Sequence, residues 1–154
     1  MTPSSLDLTV QFALHDPSTP AQAFIEACVQ HALTGIKGAV VVRIVDEAES
    51  ADLNQRFGGK PGPTNVLAFP AGDVAVHDEI PPLGDIVICG PIVAREAAEQ
   101  GKPVAAHWAH IVVHGCLHLL GYDHIDEADA EIMEAQERKL LAGLGIGDPY
   151  SSEP

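Results

Sequence analysis

Three histidines near residue 120 have the types and spacing of ligands to a single divalent metal ion. His114, His118 and His124 stand at positions i, i+4 and i+10 of the segment HGCLHLLGYDH. At about 3.6 residues per turn, His114 and His118 share one face of a helix. Gly121 can end that helix, and the reversing chain then returns His124 to the same face. The spacing predicts three imidazole ligands and an open fourth position, as at a catalytic zinc ion; the alternative is a hydrogen-bonded histidine cluster.

The two residues that follow His114 narrow the possible kinds of metal site and reaction. The spacing equals that of the H-E-x-x-H-x-x-G-x-x-H metalloproteases, but Gly115 stands where those enzymes carry their glutamate base. A protease built this way would lack its proton acceptor. Cys116 lies two residues from His114 and points away from the ligand face, so it is excluded from the metal shell. With Cys28 and Cys89 it makes an odd number of cysteines without paired spacing, which argues against a disulfide framework.

The segment 114–124 resembles, almost letter for letter, the motif H-G-x-L-H-L-x-G-Y-D-H of the YbeY family of metal-dependent endoribonucleases. The segments PTNVL (63–67) and GDIVI (84–88) support this resemblance, which covers roughly residues 40–150. It implies that His114, His118 and His124 bind one zinc ion per chain. It also implies cleavage of single-stranded RNA in ribosomal RNA maturation and ribosome quality control, with ribosomal RNA and the small ribosomal subunit as partners. Two alternatives are a metallohydrolase acting on another substrate and a ribosome-associated factor with a structural metal.

The chain departs from the family pattern in one loop. Family members usually carry Y-R-G-K-D before the PTN segment, with the arginine serving activity, whereas this chain has FGGKP at 57–61, so Gly58 replaces the arginine. Arg56 could supply a guanidinium from a different backbone position in this glycine-rich loop. The alternative is that Arg56 is a solvated residue at a helix end.

The remaining polar residues near the motifs have structural alternatives to a catalytic role. Asp85 and Asp123 are the nearest carboxylates for proton transfer, but Asp85 opens a strand, and Asp123 could fix the turn or orient an imidazole. Tyr122 is expected to pack on the core. His107 and His110 are expected to be buried or cleft-lining neutral histidines and not metal ligands. The proton donor is therefore unassigned.

The net charge of −14 opposes binding of a polyanion such as RNA. The charge is unevenly distributed, however, because residues 53–72 and 100–122 contain no Asp or Glu. These two segments carry the PTNVL motif and the first two histidines. If they meet in the folded chain, they form a locally positive cleft on an acidic body.

The order of predicted elements is strand, helix, strand, helix, two strands and three helices. The strands are expected near residues 6–14, 40–45, 65–69 and 84–89. This order predicts an α+β or α/β fold, with one mixed sheet of about four strands covered by helices and the metal helix packed on the sheet. Residues 1–154 are expected to form a single metallohydrolase domain, with 143–154 as a loosely held tail.

Local signals predict where individual helices begin. Thr19-Pro20-Ala21-Gln22 has the pattern of a capping box for the first helix, and Asp126 is expected to cap the last one. Met133, Leu140, Leu141 and Leu144 are expected to face inward from that last helix, whose other side is acidic. No apolar run is long enough for a membrane span, and the first residues lack a signal-peptide pattern, which predicts a cytoplasmic protein.

Overall fold

The computed structural model of the chain describes residues 6–14, 16–71, 81–122 and 126–150. Within those ranges the chain forms strands and helices in the predicted order. They are β1 (Leu6–Phe12), α1 (Gln22–Ala32), β2 (Gly38–Val45), α2 (Glu47–Leu53), β3 (Val66–Pro70), β4 (Pro82–Cys89), α3 (Gly90–Gln100), α4 (Val104–Leu119) and α5 (Glu127–Gly143). A π-helical turn, Asn54–Gly58, continues α2. None of the described helices is long and apolar enough to cross a membrane.

The strands form one mixed sheet in the order β1-β2-β4-β3. β1, β2 and β4 are parallel, whereas β3 runs antiparallel to β4. The apolar runs of β2 and β4 follow from their central positions, because a central strand is covered on both faces. The predicted α+β fold with one sheet of about four strands is confirmed. In the described part of the chain, β3 is an edge strand with one side of its backbone unpaired by another strand.

Helices α1 and α4 cover one face of the sheet and form the main core. Trp108 of α4 and Ile25 of α1 are fully buried there, together with Ile44 and Ile86 from the central strands. Successive strand residues point to opposite faces, so Val87 belongs to a second, smaller cluster on the other face. The predicted metal helix therefore packs on the sheet through the larger apolar layer.

At Gly115, helix α4 packs closely against the sheet. A Cβ atom at this position would lie 2.8 Å from Ile86 Cγ2 and 3.4 Å from Val66 Cγ2. Real Cβ atoms do not approach other heavy atoms to 2.8 Å, so the helix or the Ile86 side chain would have to shift to accept any side chain here. Position 115 thus faces the sheet, and a glutamate there would be directed into the core. The packing explains why this chain carries glycine where the metalloprotease pattern carries its base.

Replacing Gly115 by alanine is expected to lower the free energy of unfolding by about 1–3 kcal/mol, the usual cost of overpacking a filled core. Alanine favours a helix over glycine by up to about 1 kcal/mol, so a net loss would show that contact with the sheet dominates. Urea unfolding followed by circular dichroism measures the change. Ile86→Leu moves the branching methyl group and is expected to recover part of the loss in the double variant. Equal stability of Gly115→Ala and the wild type would contradict the close packing.

The two helix starts that were predicted from capping signals have different outcomes. Asp126 caps α5, because its Oδ1 accepts a hydrogen bond from Asp129 N–H at 2.8 Å, so that prediction is confirmed. The capping box before α1 is wrong, since the N-cap residue is Ala21 and no side chain caps the helix. Thr19 instead belongs to a turn in which its N–H donates to the Asp16 carbonyl oxygen at 3.0 Å. That turn holds Thr19 outside the helix.

Candidate metal centre

Helix α4 brings His114 and His118 together, as their spacing predicts. Their Nε2 atoms lie 3.1 Å apart, and both side chains are partly exposed. The two rings line a cavity of about 320 Å³, together with residues Thr64–Ala68 at the start of β3. His124 and Asp123 lie outside the described residues, so the third ligand stays a prediction.

The donor chemistry of this pair fits a divalent metal ion. Zinc binds imidazole nitrogen at about 2.0–2.1 Å, so nitrogens 3.1 Å apart can bind the same ion. Two imidazole lone pairs at this separation repel each other unless a proton or a cation lies between them. Cys116 offers no competing ligand, because it is fully buried in the apolar core and burial raises the pKa of its thiol. Its predicted exclusion from the ligand face agrees with this placement.

The cavity joins the two segments that lack acidic residues. Thr64–Ala68 belongs to the segment 53–72, and His114 and His118 belong to the segment 100–122. Among the described residues, none that lines the cavity is acidic. The predicted meeting of the two segments is confirmed. It gives a chain of net charge −14 a local surface that can accept an anionic group.

Behind His114 lies a fully buried carboxylate that is absent from the predicted ligand set. Glu137 of α5 has no solvent exposure. Its Oε2 lies within hydrogen-bond distance of His110 Nε2 (2.8 Å) and His114 Nδ1 (3.2 Å), and its Oε1 accepts a hydrogen bond from the Tyr150 hydroxyl at 2.6 Å. Burial alone would raise the pKa of Glu137, but these three donors outweigh it and lower the pKa to about 2. Glu137 is therefore ionised at neutral pH.

A second group of possible metal ligands shares His114. The ligand atoms of His110, His114 and Glu137 all lie within 4.8 Å of one another, and nitrogen and carboxylate oxygen are both common metal donors. This trio lies on the other side of the His114 ring from His118. Neither His110 nor Glu137 lines the cavity, whereas His118 does. Among the described residues, His114 and His118 are therefore the ring pair that a ligand in this cavity can approach directly.

A second histidine–carboxylate contact holds the wall of the cavity. His107 Nε2 lies 2.9 Å from Glu96 Oε1, and Asn65 Nδ2 donates to the same oxygen at 3.1 Å. Burial lowers the pKa of His107, although Glu96 opposes that effect. The imidazole is therefore neutral at neutral pH and donates its Nε2–H to Glu96, as expected for a buried neutral histidine. Through Glu96 it fixes Asn65, the motif residue that lines the cavity.

Asp85, the described carboxylate among the candidates for proton transfer, lies away from the cavity. Asp85 neighbours Ile86, which faces α4, so the Asp85 side chain lies on the opposite face of the sheet. Asp85 is exposed and belongs to a different cavity wall, which supports its structural role at the start of the strand. Tyr122 packs against the main core, as expected.

Arg56 lies at the surface of the π-helical turn. Its side chain is 66% exposed, and its Nε pairs with Asp52 Oδ1 at 3.3 Å. Arg56 is not among the described residues that line the cavity with His114. These contacts favour the solvated helix-end alternative over replacement of the family arginine that is missing at Gly58.

The contact with Glu137 had a signal in the sequence of α5. Met133, Glu137 and Leu141 are spaced by four residues, so they share one face of the helix. All three are buried. A carboxylate flanked at i−4 and i+4 by inward apolar residues is therefore a candidate buried acid, although its charge assigns it to the acidic outer side. Its partners on α4 are distant in sequence and become visible only in the folded chain.

Comparisons with known proteins agree with these motifs and this geometry. A relative named endoribonuclease YbeY from Methylococcus capsulatus is 55% identical over 147 residues, covering 94% of this chain and 95% of the relative. One from Pseudomonas putida is 52% identical over 150 residues, covering 96% of this chain and 95% of the relative. The solution structure of TM1509 from Thermotoga maritima shares the fold, with a TM-score of 0.61 and 24% identity, covering 94% of this chain and 99% of that one. The model of the endoribonuclease YbeY family matches residues 9–145, and the chain belongs to that family.

Proposed function

We propose that this chain is a zinc-dependent endoribonuclease for single-stranded RNA, with His114, His118 and His124 as ligands of one zinc ion. Its proposed setting is the cytoplasm, in ribosomal RNA maturation and ribosome quality control, with ribosomal RNA and the small ribosomal subunit as partners. The observation that carries the proposal is the convergence of two imidazole nitrogens, 3.1 Å apart, beside a cavity without an acidic lining. Membership of the endoribonuclease YbeY family supports RNA as the substrate.

The described residues supply binding groups suited to a phosphodiester. A zinc ion held by the histidines would supply Lewis acidity toward a phosphoryl oxygen and a water molecule. His114 and His118 present ring nitrogens from one face of α4. Thr64 and Asn65 line the same cavity and offer hydroxyl and amide groups. Such groups commonly bind phosphate and sugar oxygens in nucleic acids.

The edge position of β3 supports a preference for single strands. Thr64–Ala68, which lead into and form most of β3, line the cavity. Backbone groups on the open side of an edge strand can form hydrogen bonds with an extended ligand. A single strand can extend along such an edge and expose its bases and backbone, whereas a duplex keeps its bases stacked and paired. Peptide hydrolysis is disfavoured because the packing at Gly115 leaves no place for the glutamate base.

Cleavage assays on three substrates test the proposal. Zinc-loaded protein is expected to cleave a single-stranded ribosomal RNA fragment, to cleave the same sequence in a duplex much more slowly, and to leave casein intact. His114→Ala is expected to abolish the cleavage. Cleavage of casein, or RNA cleavage that persists in His114→Ala, would contradict the proposed site. Co-sedimentation of the wild type with small ribosomal subunits tests the proposed partner.

Arg56→Ala serves as a variant in the same assay. The ion pair with Asp52 is exposed, and such pairs contribute at most about 1 kcal/mol. The variant is therefore expected to fold and to cleave RNA at the wild-type rate. Loss of cleavage in a folded Arg56→Ala protein would instead support the hypothesis that Arg56 replaces the missing family arginine.

A further inference from the structure

The buried carboxylate of Glu137 contacts the side of His114 that faces away from the cavity. The two ring nitrogens of His114 have different neighbours, since Nδ1 lies 3.2 Å from Glu137 Oε2 and Nε2 lies 3.1 Å from His118 Nε2. A neutral imidazole has one N–H group and one lone pair. If one neighbour accepts the N–H group, the lone pair is therefore on the other nitrogen and points at the other neighbour.

An ionised carboxylate can only accept hydrogen bonds. Glu137 has no contact with solvent, so its charge must be compensated by protein donors. The Tyr150 hydroxyl, His110 Nε2 and His114 Nδ1 are all within hydrogen-bond distance of its two oxygens. If His114 carried its proton on Nε2, its Nδ1 lone pair would face a buried negative charge. The arrangement therefore favours a proton on Nδ1 and a lone pair on Nε2.

The same contacts weigh against Glu137 as a metal ligand. A metal between Glu137, His110 and His114 would need lone pairs on His110 Nε2 and His114 Nδ1, which would remove two of the three donors from the carboxylate. It would also lie behind the His114 ring, away from the cavity that His114 and His118 line. As a hydrogen-bond acceptor, Glu137 keeps all three donors and leaves the cavity side of His114 open.

We propose that Glu137 is a positioning residue that holds His114 as the Nδ1–H tautomer and so directs the Nε2 lone pair toward His118 and the cavity. Tyr150 holds the other oxygen of the carboxylate and thereby attaches the end of the described chain to the site. This inference rests on the proposed function, because it assigns Nε2 of His114 to the proposed zinc ion. A carboxylate that accepts from the second nitrogen of a metal-binding histidine typically raises metal affinity by about 10–100-fold.

The tautomer can be measured directly in metal-free protein. Two-bond hydrogen–nitrogen NMR spectra of protein with ¹⁵N-labelled histidine distinguish the two tautomers, at a pH well above the ordinary histidine pKa of about 6.5. The His114 signals are assigned by their loss in His114→Ala. The wild type is expected to show His114 with the proton on Nδ1. A wild-type proton on Nε2 would overturn the inference without any further variant.

Glu137→Gln tests whether the carboxylate causes this preference. The amide preserves the shape of the side chain but removes the charge, so His114 is expected to populate the Nε2–H tautomer. Zinc affinity, measured by competition with a chelator, is expected to fall by about 10–100-fold with all three predicted ligands present. Glu131→Gln is the matched control, because Glu131 lies on the same helix with an exposed side chain. An unchanged tautomer in a folded Glu137→Gln protein would overturn the inference.

Tyr150→Phe provides a second variant that retains the buried carboxylate. It removes the donor to Glu137 Oε1 and is expected to weaken zinc binding less than Glu137→Gln does. Zinc affinity equal to the wild type in this variant would contradict the role of Tyr150. Failure of the proposed function has a different signature, in which His114 keeps the expected tautomer but no RNA is cleaved.

Discussion

Alanine at position 118 is expected to remove the bound metal and to abolish RNA cleavage while the chain stays folded. His118 lies in the last turn of α4 with its side chain partly exposed, and its Nε2 is 3.1 Å from that of His114. Losing a direct ligand should weaken zinc binding by more than the roughly 100-fold that loss of an outer partner can cost. Metal content, measured in protein prepared without added metal, is expected to be one zinc ion per wild-type chain and none in His118→Ala.

Two control variants distinguish this expectation from general loss of structure. His31 lies far from the cavity in sequence and its Nε2 is 2.8 Å from the Leu140 carbonyl oxygen, so His31→Ala removes a histidine without touching the proposed ligands. Cys116→Ala removes the thiol nearest to them in sequence. Both variants are expected to retain zinc. Equal metal content in the wild type and His118→Ala would show that the ion, if present, binds elsewhere, and the trio of His110, His114 and Glu137 would then be examined by His110→Ala.

The strands and helices were predictable because burial leaves a periodic trace in the sequence. β1 alternates apolar and polar residues along one covered face, and the apolar run of β2 follows from burial on both faces. Strand pairing leaves no comparable trace. The insertion of β4 between β2 and β3, and the reversal of β3, depend on contacts between distant segments. The edge position of β3, which shapes the cavity, therefore required the folded chain.

The short-range signals succeeded where nothing competed with them. Asp126 has the expected N–H partner in its own helix. Thr19 does not cap α1, because its own backbone N–H and that of Ser18 are hydrogen-bonded to Asp16 in the preceding turn. A side chain that can cap a helix can equally stabilise a turn. Local sequence cannot decide between a turn and a helix cap when the turn and the helix start lie within a few residues of each other.

The candidate site also has one part that local sequence predicts and another that depends on tertiary contacts. His114 and His118 are brought together by one helix, so their spacing alone predicts their contact. The cavity wall requires α4 to pack against β3 at Gly115, and the support of His114 requires α5 to bring Glu137 behind it. Both are tertiary contacts between segments more than twenty residues apart. The sequence thus identifies which nitrogens can bind a metal, and the fold identifies what holds them.

Acid is expected to destabilise the chain through Glu137 in particular. Its ordinary pKa of 4.5 is lowered to about 2 in the folded chain, because hydrogen bonds from His110, His114 and Tyr150 outweigh burial. A lowered pKa in the folded state adds stability that is complete above the unfolded value and is lost as the pH falls through the folded one. The contribution is on the order of 3 kcal/mol at 1.36 kcal/mol per pKa unit. The loss is therefore expected to follow the protonation of the Glu137 carboxylate.

Glu137→Gln should remove this dependence on pH, because glutamine does not titrate. At neutral pH the variant is expected to be less stable than the wild type, and the difference in unfolding free energy should shrink between pH 4.5 and about 2. Denaturant unfolding of both proteins across this range measures the difference. Glu134→Gln, which alters an exposed pair with Arg138, should change stability by less than about 1 kcal/mol. A difference between Glu137→Gln and the wild type that stays constant across this pH range would contradict a lowered pKa of Glu137 in the folded chain.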